Sequence, residues 1–202
     1  MASGLMAGLK RKWNGLRAAA CRRENKYYHM TIAGCERDLP ICPIDEHLDI
    51  AGFVMLGDVE ITEKTAKALL EKCPEHDVVV TAETKGIPLC YEMARQGCRR
   101  YIVARKSVKA YMRNPIHVEV KSITTDHVQK LYLAEDDYKG LNGKRVLIVD
   151  DVISTGESLA AMEDLVKQFG GNIVGRACVL AEGDAADRKD IIYLEPLPLF
   201  TK

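Results

Sequence analysis

The sequence lacks several features that would assign it to other protein classes. None of its seven cysteines forms a CxxC pair, which argues against a disulfide framework or a structural zinc site. Its apolar runs are far shorter than a bilayer span, and its N-terminus has no continuous apolar segment typical of a signal peptide. The 29 basic and 29 acidic residues cancel, so no overall charge favours nucleic acid or a membrane surface. We therefore expect a cytoplasmic protein with reduced, packing cysteines, no nucleic-acid partner and no membrane span.

Two common phosphate-binding motifs are also absent. The chain contains neither the GxxxxGK[ST] of P-loop proteins nor the GxGxxG of dinucleotide-binding proteins. A phosphate site in this chain must therefore be built in another way.

The first 28 residues are strongly basic. They hold seven Lys or Arg residues against Glu24 alone. Apolar residues recur there near helical spacing, namely Leu5, Leu9, Trp13, Leu16 and Ala20. We predict a helical extension over 1–28 and a single domain over 29–202. The extension is expected to pack on the domain or on a dimer mate; the alternative is a basic amphipathic helix that touches a membrane surface or an acidic partner.

Short apolar strands alternate with helices through the rest of the chain. Strands are predicted at 77–82, 101–104, 144–149 and 173–180. Helices are predicted from a cap at Thr62, at 86–96 and at 156–169. Alternating segments at 118–123 and 129–133 predict an antiparallel excursion. This order indicates an α/β fold with a mainly parallel sheet, in which ligands collect at the carboxyl ends of the strands.

The segment 146–159, VLIVDDVISTGESL, combines three features. An apolar strand ends in Asp150 and Asp151, a small polar turn follows, and a helix begins directly after it. Backbone N–H groups at a helix N-terminus attract anions, and Gly156 permits a close approach of the backbone. Two neighbouring carboxylates can accept hydrogen bonds from a vicinal diol. A pentose 5-phosphate carries both a diol and a phosphate at this separation; the alternative is a strand end with helix-capping residues.

In this segment the chain resembles the type I phosphoribosyltransferases, and the resemblance covers roughly residues 30–200. It implies an α/β fold in which a mainly parallel twisted sheet is flanked by helices and carries a small hood and a flexible antiparallel lid. It also implies that Asp150 and Asp151 hold the ribose hydroxyls of phosphoribosyl diphosphate (PRPP). The turn would then wrap the 5-phosphate with Ser154, Thr155, Gly156, Glu157 and Ser158. Glu157 departs from the family, where many members have a small residue, and its side chain is expected to face solvent.

A second turn also follows a strand and opens a helix, and it consists of Glu83, Thr84, Lys85 and Gly86. The resemblance assigns this turn to the diphosphate and implies a non-proline cis peptide within it. Arg105 and Lys106 end the next strand, where the family has a basic residue that reaches the diphosphate. The alternatives are an ordinary strand-to-helix turn and a solvated basic pair.

Residues 109–126 lie where the family has its catalytic loop. A mobile basic lid fits a reaction with oxocarbenium-like charge on the ribose, because water must be kept from that centre. We assign Lys109 and Tyr111 to catalysis together with Asp150 and Asp151. Mg²⁺ would neutralise the leaving diphosphate, and we expect it to arrive with PRPP rather than in an all-protein site. The resemblance also implies a homodimer.

The acceptor site is expected in the hood, which we place at 36–58 with Phe53 as a stacking surface. The backbones of Val152 and Ile153 are predicted to contact the base as well. Hypoxanthine-guanine enzymes of the family carry an Asp where this chain has Ser154, whereas adenine enzymes commonly have a small residue. Adenine is therefore the favoured purine, with xanthine or another base as an alternative. A non-catalytic regulator that senses PRPP or a nucleotide is the second hypothesis.

Overall fold

The computed structural model describes residues 26–121 and 128–202. The predicted extension at 1–28 lies almost wholly outside the described residues and stays a prediction. The described strands are β1 (Tyr27–Ile32), β2 (Cys35–Pro43), β3 (Leu48–Ala51), β4 (Val78–Ala82), β5 (Tyr101–Ala104), β6 (Ile116–Lys121), β7 (Val128–Leu133), β8 (Arg145–Ile153), β9 (Asn172–Glu182), β10 (Ile192–Leu197) and β11 (Leu199–Thr201). The helices are α1 (Val59–Leu70), α2 (Ile87–Gln96), α3 (Glu135–Lys139) and α4 (Glu157–Gln168), with a 3₁₀ helix at Gly183–Asp187.

A five-stranded parallel sheet forms the centre of the domain, in the order β10-β9-β8-β4-β5. Alternate residues of its strands face two hydrophobic clusters, so Val79 packs with α1 and α2 while Val78 and Val80 pack with α4. Because both faces are covered, the strands are apolar without alternation, as their sequences predicted. This arrangement confirms the predicted α/β fold and leaves the carboxyl edge of the sheet open for a ligand.

A second, antiparallel sheet forms the hood, in the order β1-β2-β3-β11. A tight turn with positive φ at Ala33 and Gly34 joins β1 to β2. The C-terminal strand β11 pairs with β3, so that Leu199 lies opposite Ile50. The hood is thus wider than the predicted segment 36–58, because it also recruits the strand before that segment and the end of the chain.

The predicted antiparallel excursion is confirmed as the pair β6–β7. It is attached to the main sheet where the backbones of Arg105 and Tyr132 exchange hydrogen bonds of 2.9 and 2.8 Å. Residues 122–127, between β6 and β7 in the sequence, lie outside the described residues.

Two local predictions need correction. Helix α1 is capped by Asp58, whose carboxylate accepts the N–H of Ile61 at 3.2 Å; Thr62 instead lies within the first turn and donates its hydroxyl to the Asp58 carbonyl. Strand β8 does not end at residue 149. It continues through the two acids to Ile153, because Val152 still pairs with Leu180 of β9.

The described cysteines are all free thiols, as expected from their spacing. Across residues 26–121 and 128–202, no helix has the length and apolar character needed to cross a bilayer.

Candidate active site

Asp150 and Asp151 lie near the carboxyl end of β8, as the motif predicted. Asp151 is only 3% exposed, and its backbone N–H donates to Oδ1 of Asp150 at 2.9 Å. Burial, and then the negative charge of Asp151, raise the pKa of Asp150 to about 7. Two adjacent carboxylates are therefore held in a setting that disfavours full ionisation, as is common where a ligand is to be bound.

Lys85 supplies the cation for this pair. Its ammonium lies 2.7 Å from Oδ2 of Asp151 and forms an ion pair with this buried oxygen. The Lys85 side chain is 48% exposed and that of Asp151 is 4% exposed. The structure thus joins the predicted turn at residues 83–86 to the acid pair on β8 through one ion pair.

The turn at residues 83–86 lies directly against β8. The peptide between Glu83 and Thr84 is cis, which confirms the implied geometry. A Cβ atom added to Gly86 would overlap the hydroxyl of Thr81 and lie 2.9 Å from Oδ1 of Asp150. Glycine at position 86 therefore allows the N-terminus of α2 to approach the acid pair.

Gly156 forms the corner of the other turn and caps α4 with φ +82°. The first backbone bond of α4 runs from the N–H of Ala160 to the carbonyl of Gly156 at 2.9 Å. The N–H groups that precede Ala160 lie ahead of this bond and offer donors to an anion. Ser154, Thr155 and Ser158 around this corner are exposed, so their hydroxyls are accessible to a ligand.

Glu83 organises the basic residues that follow β5. Its carboxylate accepts the backbone N–H of Lys106 at 2.9 Å. It also lies 3.5 Å from Nη1 of Arg105 and 3.6 Å from Nζ of Lys109. The Lys106 N–H, and then the charges of Lys109 and Arg105, lower the pKa of Glu83 against the effect of its burial. The contacts of Glu83 hold the basic residues after β5 together, and its predicted part in binding PRPP stays a prediction.

A cavity of about 360 Å³ opens between these elements. Eight of the predicted site residues line it: Glu83, Thr84, Lys85, Lys106, Asp150, Asp151, Val152 and Ser158. The remaining lining residues are Ala82, Leu131 and Ala161. Leu131 comes from the lid strand β7 and was not predicted, because sequence spacing does not show which lid residue faces the sheet.

The other ten predicted site residues do not line this cavity, and Ser154, Thr155, Gly156 and Glu157 of the second turn are among them. Three of the ten, Phe53, Ile153 and Tyr111, differ most from their predicted roles. Phe53 is 4% exposed and packs in the hydrophobic core between the hood and the main sheet, so its ring has no open face for a base. The Ile153 side chain is likewise buried in the core, which leaves only its backbone for the predicted contact. Tyr111 is 69% exposed and does not line the cavity.

Glu182 and Arg188 are two charged residues near the site that sequence reasoning missed. Glu182 ends β9, next to the acid pair's strand; its burial raises its pKa, and the nearby charge of Lys85 acts in the opposite direction. Arg188 follows the 3₁₀ helix and contacts the Gly156 corner. Their positions in the sequence could have indicated them, because residues that follow a parallel strand lie at the carboxyl edge of the sheet, where ligands bind.

The donors for a metal ion are limited. Within the part of the chain that the structure describes, no group of three or more His, Cys, Asp or Glu side chains is arranged to hold one. Asp150 and Asp151 would fit a hydrated Mg²⁺ only through their carboxylates, with the other positions filled by water or a ligand's phosphates. That Mg²⁺ comes with PRPP stays a prediction.

The parallel sheet, the hood, the lid and the two turns at the carboxyl edge define a type I phosphoribosyltransferase fold. A family model described as "Phosphoribosyl transferase domain" matches residues 55–197. The chain belongs to this family.

Individual relatives differ in activity. The chain is 29% identical over 178 residues to the purine biosynthesis transcriptional repressor PurR of Bacillus subtilis (strain 168), covering 85% of this chain and 58% of that protein. It is 34% identical over 126 residues to the adenine phosphoribosyltransferase of Rhodococcus jostii (strain RHA1), covering 62% and 69%. A hypoxanthine/guanine phosphoribosyltransferase of Methanotorris igneus is 37% identical over 110 residues, covering 54% and 55%. The chain thus spans little more than half the length of several curated relatives that it matches.

Solved structures share the fold. The adenine phosphoribosyltransferase of Rhodothermus marinus gives a TM-score of 0.59 at 23% identity, covering 85% of this chain and 94% of that one. The adenine phosphoribosyltransferase of Leishmania tarentolae gives a TM-score of 0.60 at 16% identity, covering 86% of this chain and 83% of that one.

Proposed function

We propose that this chain transfers the 5-phosphoribosyl group of PRPP to a purine base, with adenine favoured, to give a nucleoside 5′-monophosphate and diphosphate. The observation that carries the proposal is the pair of Asp150 and Asp151, of which the buried Asp151 is ion-paired with Lys85, on a cavity that the turn at residues 83–86 and Ser158 also line. A diol, a phosphate monoester and a diphosphate are the three groups that such a site matches.

The residues divide the ligand between them. Asp150 and Asp151 accept hydrogen bonds from the two ribose hydroxyls. The backbone donors at the Gly156 corner, with the nearby hydroxyls, hold the 5-phosphate. The turn at residues 83–86 holds the diphosphate, assisted by the charges of Lys85 and Lys106. This fixes the sugar by both ends while its C1 carbon is exposed to the acceptor.

In the reaction, the C1–oxygen bond to diphosphate breaks, a C1–nitrogen bond to the base forms, and the base gives up one N–H proton. Mg²⁺ bound with PRPP would supply positive charge to the departing diphosphate. Lys109 stands beside Glu83, 3.6 Å from its Oε1, so a small rearrangement would bring its ammonium to the diphosphate. Tyr111 is exposed on the same segment, where lid closure would be needed to bring it to the ligand.

The choice of adenine rests on two features. Ser154 cannot offer the carboxylate that the hypoxanthine-guanine enzymes use at this position. The side chain of Val152 lines the cavity beside the acids, which gives an apolar surface for a base. The adenine and the hypoxanthine/guanine relatives both support a purine.

Turnover with a panel of bases tests the proposal. The protein is mixed with PRPP, Mg²⁺ and adenine, hypoxanthine, guanine or xanthine, and diphosphate release is followed beside chromatography of the nucleotide. We expect adenine to give AMP at the highest kcat/KM. Asp150→Asn should lose this activity, whereas Asp164→Asn, an exposed carboxylate on α4, should keep it. Diphosphate release that does not depend on any base would contradict the transferase.

A regulator that binds PRPP without turnover is the second candidate, and the match to PurR over 85% of this chain supports it. The same experiment separates the two. Micromolar binding of PRPP by calorimetry without product from any base would favour the regulator, and product formation would favour the enzyme.

We further propose a cytoplasmic homodimer. Exposed apolar side chains gather at one groove, where Val59 is 77% and Tyr91 is 50% exposed. The rings of Tyr91 and Tyr101 meet edge to face, with 5.8 Å between their centroids, so the exposed surface continues to Tyr101. Light scattering of the wild type and of Tyr91→Glu measures the assembly, and a monomeric wild type would contradict it.

A further inference from the structure

Arg188 lies against the phosphate-binding corner. Its backbone N–H closes the 3₁₀ helix at the end of β9 by donating to Ala185 at 3.2 Å. Its guanidinium then extends to the turn before α4, where a Cβ atom added to Gly156 would lie 2.5 Å from Nη1 of Arg188. The absence of a side chain at position 156 therefore leaves room for an arginine in contact with the turn.

The guanidinium is oriented by Asp190. Nε donates to Oδ1 of Asp190 at 3.0 Å and Nη2 donates to Oδ2 at 2.7 Å. This two-pronged contact occupies one edge of the planar group, so Nη1, with its two N–H bonds, is the nitrogen that faces Gly156. The Arg188 side chain is 32% exposed, which leaves it accessible to a ligand.

The Asp190 contact fixes the orientation of Arg188, and Glu163 on α4 adds only the effect of its negative charge. The pKa of Arg188 is raised by its hydrogen bond to Asp190, against the effect of burial, and raised further by the charges of Asp190 and Glu163. Arg188 is therefore held as a cation in one orientation before any ligand binds, which reduces the entropy lost on binding.

We propose that Arg188 binds the phosphate monoester of the ligand, with Nη1 donating to a phosphate oxygen while Nε and Nη2 stay on Asp190. This inference rests on the proposed function and assigns a residue to the phosphate end of the site.

The ligand class follows from the chemistry. A dianionic phosphate on a pentose, as in ribose 5-phosphate, PRPP or a nucleoside monophosphate, can engage the turn and Arg188 together. Inorganic diphosphate would bind the other turn, near Lys85, and should not depend on Arg188. The two phosphate-bearing ends of PRPP can therefore be tested separately.

Calorimetry with ribose 5-phosphate, inorganic diphosphate and Mg²⁺-PRPP tests the assignment. A charge-assisted hydrogen bond contributes about tenfold or more in affinity. We expect Arg188→Gln to lower the affinity for ribose 5-phosphate and for PRPP by at least about tenfold. Its affinity for diphosphate should stay within about twofold of the wild-type value. Arg188→Lys should recover part of the lost affinity, because it keeps the positive charge but not the planar, two-pronged hydrogen-bonding geometry of the guanidinium. The matched control is Lys189→Gln, which removes an exposed neighbouring cation and should bind all three as the wild type does.

Each other outcome overturns the inference. Wild-type affinity of Arg188→Gln for ribose 5-phosphate would show that the guanidinium does not bind the phosphate. An equal loss for ribose 5-phosphate and diphosphate would show that Arg188 acts on the fold instead. If the wild type itself binds neither PRPP nor ribose 5-phosphate, the proposed function fails together with this inference. If the wild type binds both and Arg188→Gln does too, only the inference fails.

Discussion

The ammonium of Lys85 lies 2.7 Å from Oδ2 of Asp151 and connects the turn before α2 to the end of β8. Asp151 is almost completely buried, whereas Lys85 is half exposed. The contact is thus neither a surface ion pair of little energetic value nor a fully buried pair. Because the two turns are proposed to bind different parts of one ligand, we expect this contact to link the stability of the site to ligand binding.

Removal of Lys85 should expose this link. Lys85→Met leaves the Asp151 carboxylate buried without its cation, and we expect a loss of about 1 kcal/mol in the free energy of unfolding, less than for a fully buried pair. Adding Asp151→Asn to the Lys85→Met variant should restore most of the lost free energy of unfolding. The double-mutant cycle should therefore show that the two residues are coupled. Urea unfolding of the wild type, the two single variants and the double variant measures both the loss and the coupling. Lys64→Met, which removes an exposed partner of Glu60, should change stability by less than about 0.5 kcal/mol. Additive losses in the cycle would contradict the coupling.

Asp150 should make stability depend on pH in a defined direction. Burial, and then the charge of Asp151, raise its pKa to about 7 from an ordinary value of 3.8. Native Asp150 thus keeps a proton that the unfolded chain has lost, so its stabilising contribution is full below about pH 4 and is lost as pH rises through 7. Asp150→Asn should gain stability relative to the wild type from pH 5 to pH 8 in urea unfolding. A constant difference across this range, as expected for the Asp164→Asn control, would contradict the shift.

The ionisation of Asp150 should also affect ligand binding. It lowers the stability of the fold as pH rises, but it should raise the affinity for PRPP. An ionised carboxylate accepts hydrogen bonds from both ribose hydroxyls, whereas a protonated one has a donor in their place. The affinity for PRPP should therefore rise between pH 6 and pH 8. Calorimetry at fixed ionic strength measures the change. Asp150→Asn should bind more weakly and lack the component that titrates near pH 7; an identical pH profile in this variant would contradict the role of Asp150.

Gly156 can be tested against a glycine with similar backbone geometry. Gly156 and Gly143 have φ of +82° and +70°, and each Gly→Ala change should cost about 1 kcal/mol of stability from this conformation alone. A Cβ at position 156 would also meet Arg188, while one at position 143 has nothing within 4 Å. Gly156→Ala should therefore lose PRPP affinity in calorimetry and Gly143→Ala should retain it. Equal affinities for the two variants would argue against a phosphate site at this corner.

The cap of α1 provides a test of the fold. Asp58 accepts the N–H of Ile61 and a two-pronged contact from Arg37 of β2, at 2.7 and 3.0 Å. Asp58→Ala should lower the free energy of unfolding by at least about 1 kcal/mol, because the cap and the link to the hood are both lost. Thr62→Ala should stay within about 0.5 kcal/mol, because its hydroxyl only adds a bond to the Asp58 carbonyl. Thermal and urea unfolding would show the two effects, and a larger loss for Thr62→Ala would contradict the assignment of the cap.

Local patterns in the sequence predicted four of the five strands of the main sheet, all but β10, as well as the positions of the acid pair and of the two strand-to-helix turns. These features depend on neighbouring residues: a buried strand needs a short apolar run, and a tight corner before a helix needs a glycine such as Gly156. A site for a diol beside a phosphate could therefore be proposed without any tertiary contact. The cap at Thr62 was wrong because Asp58 and Thr62 both suit this role locally, and Arg37 from a distant strand stabilises the first.

Only the tertiary structure decided which charges meet. Glu83 and Lys106 are 23 positions apart, yet a hydrogen bond between them organises the cations after β5. The C-terminal strand β11 completes a hood whose other strands begin at Tyr27, and Arg188 comes from the end of β9 to the corner that starts α4. Such contacts are set by how strands and helices pack, and residue order carries no direct signal for them. The burial that raises the pKa of Asp150 likewise arises only after the whole domain has closed around β8.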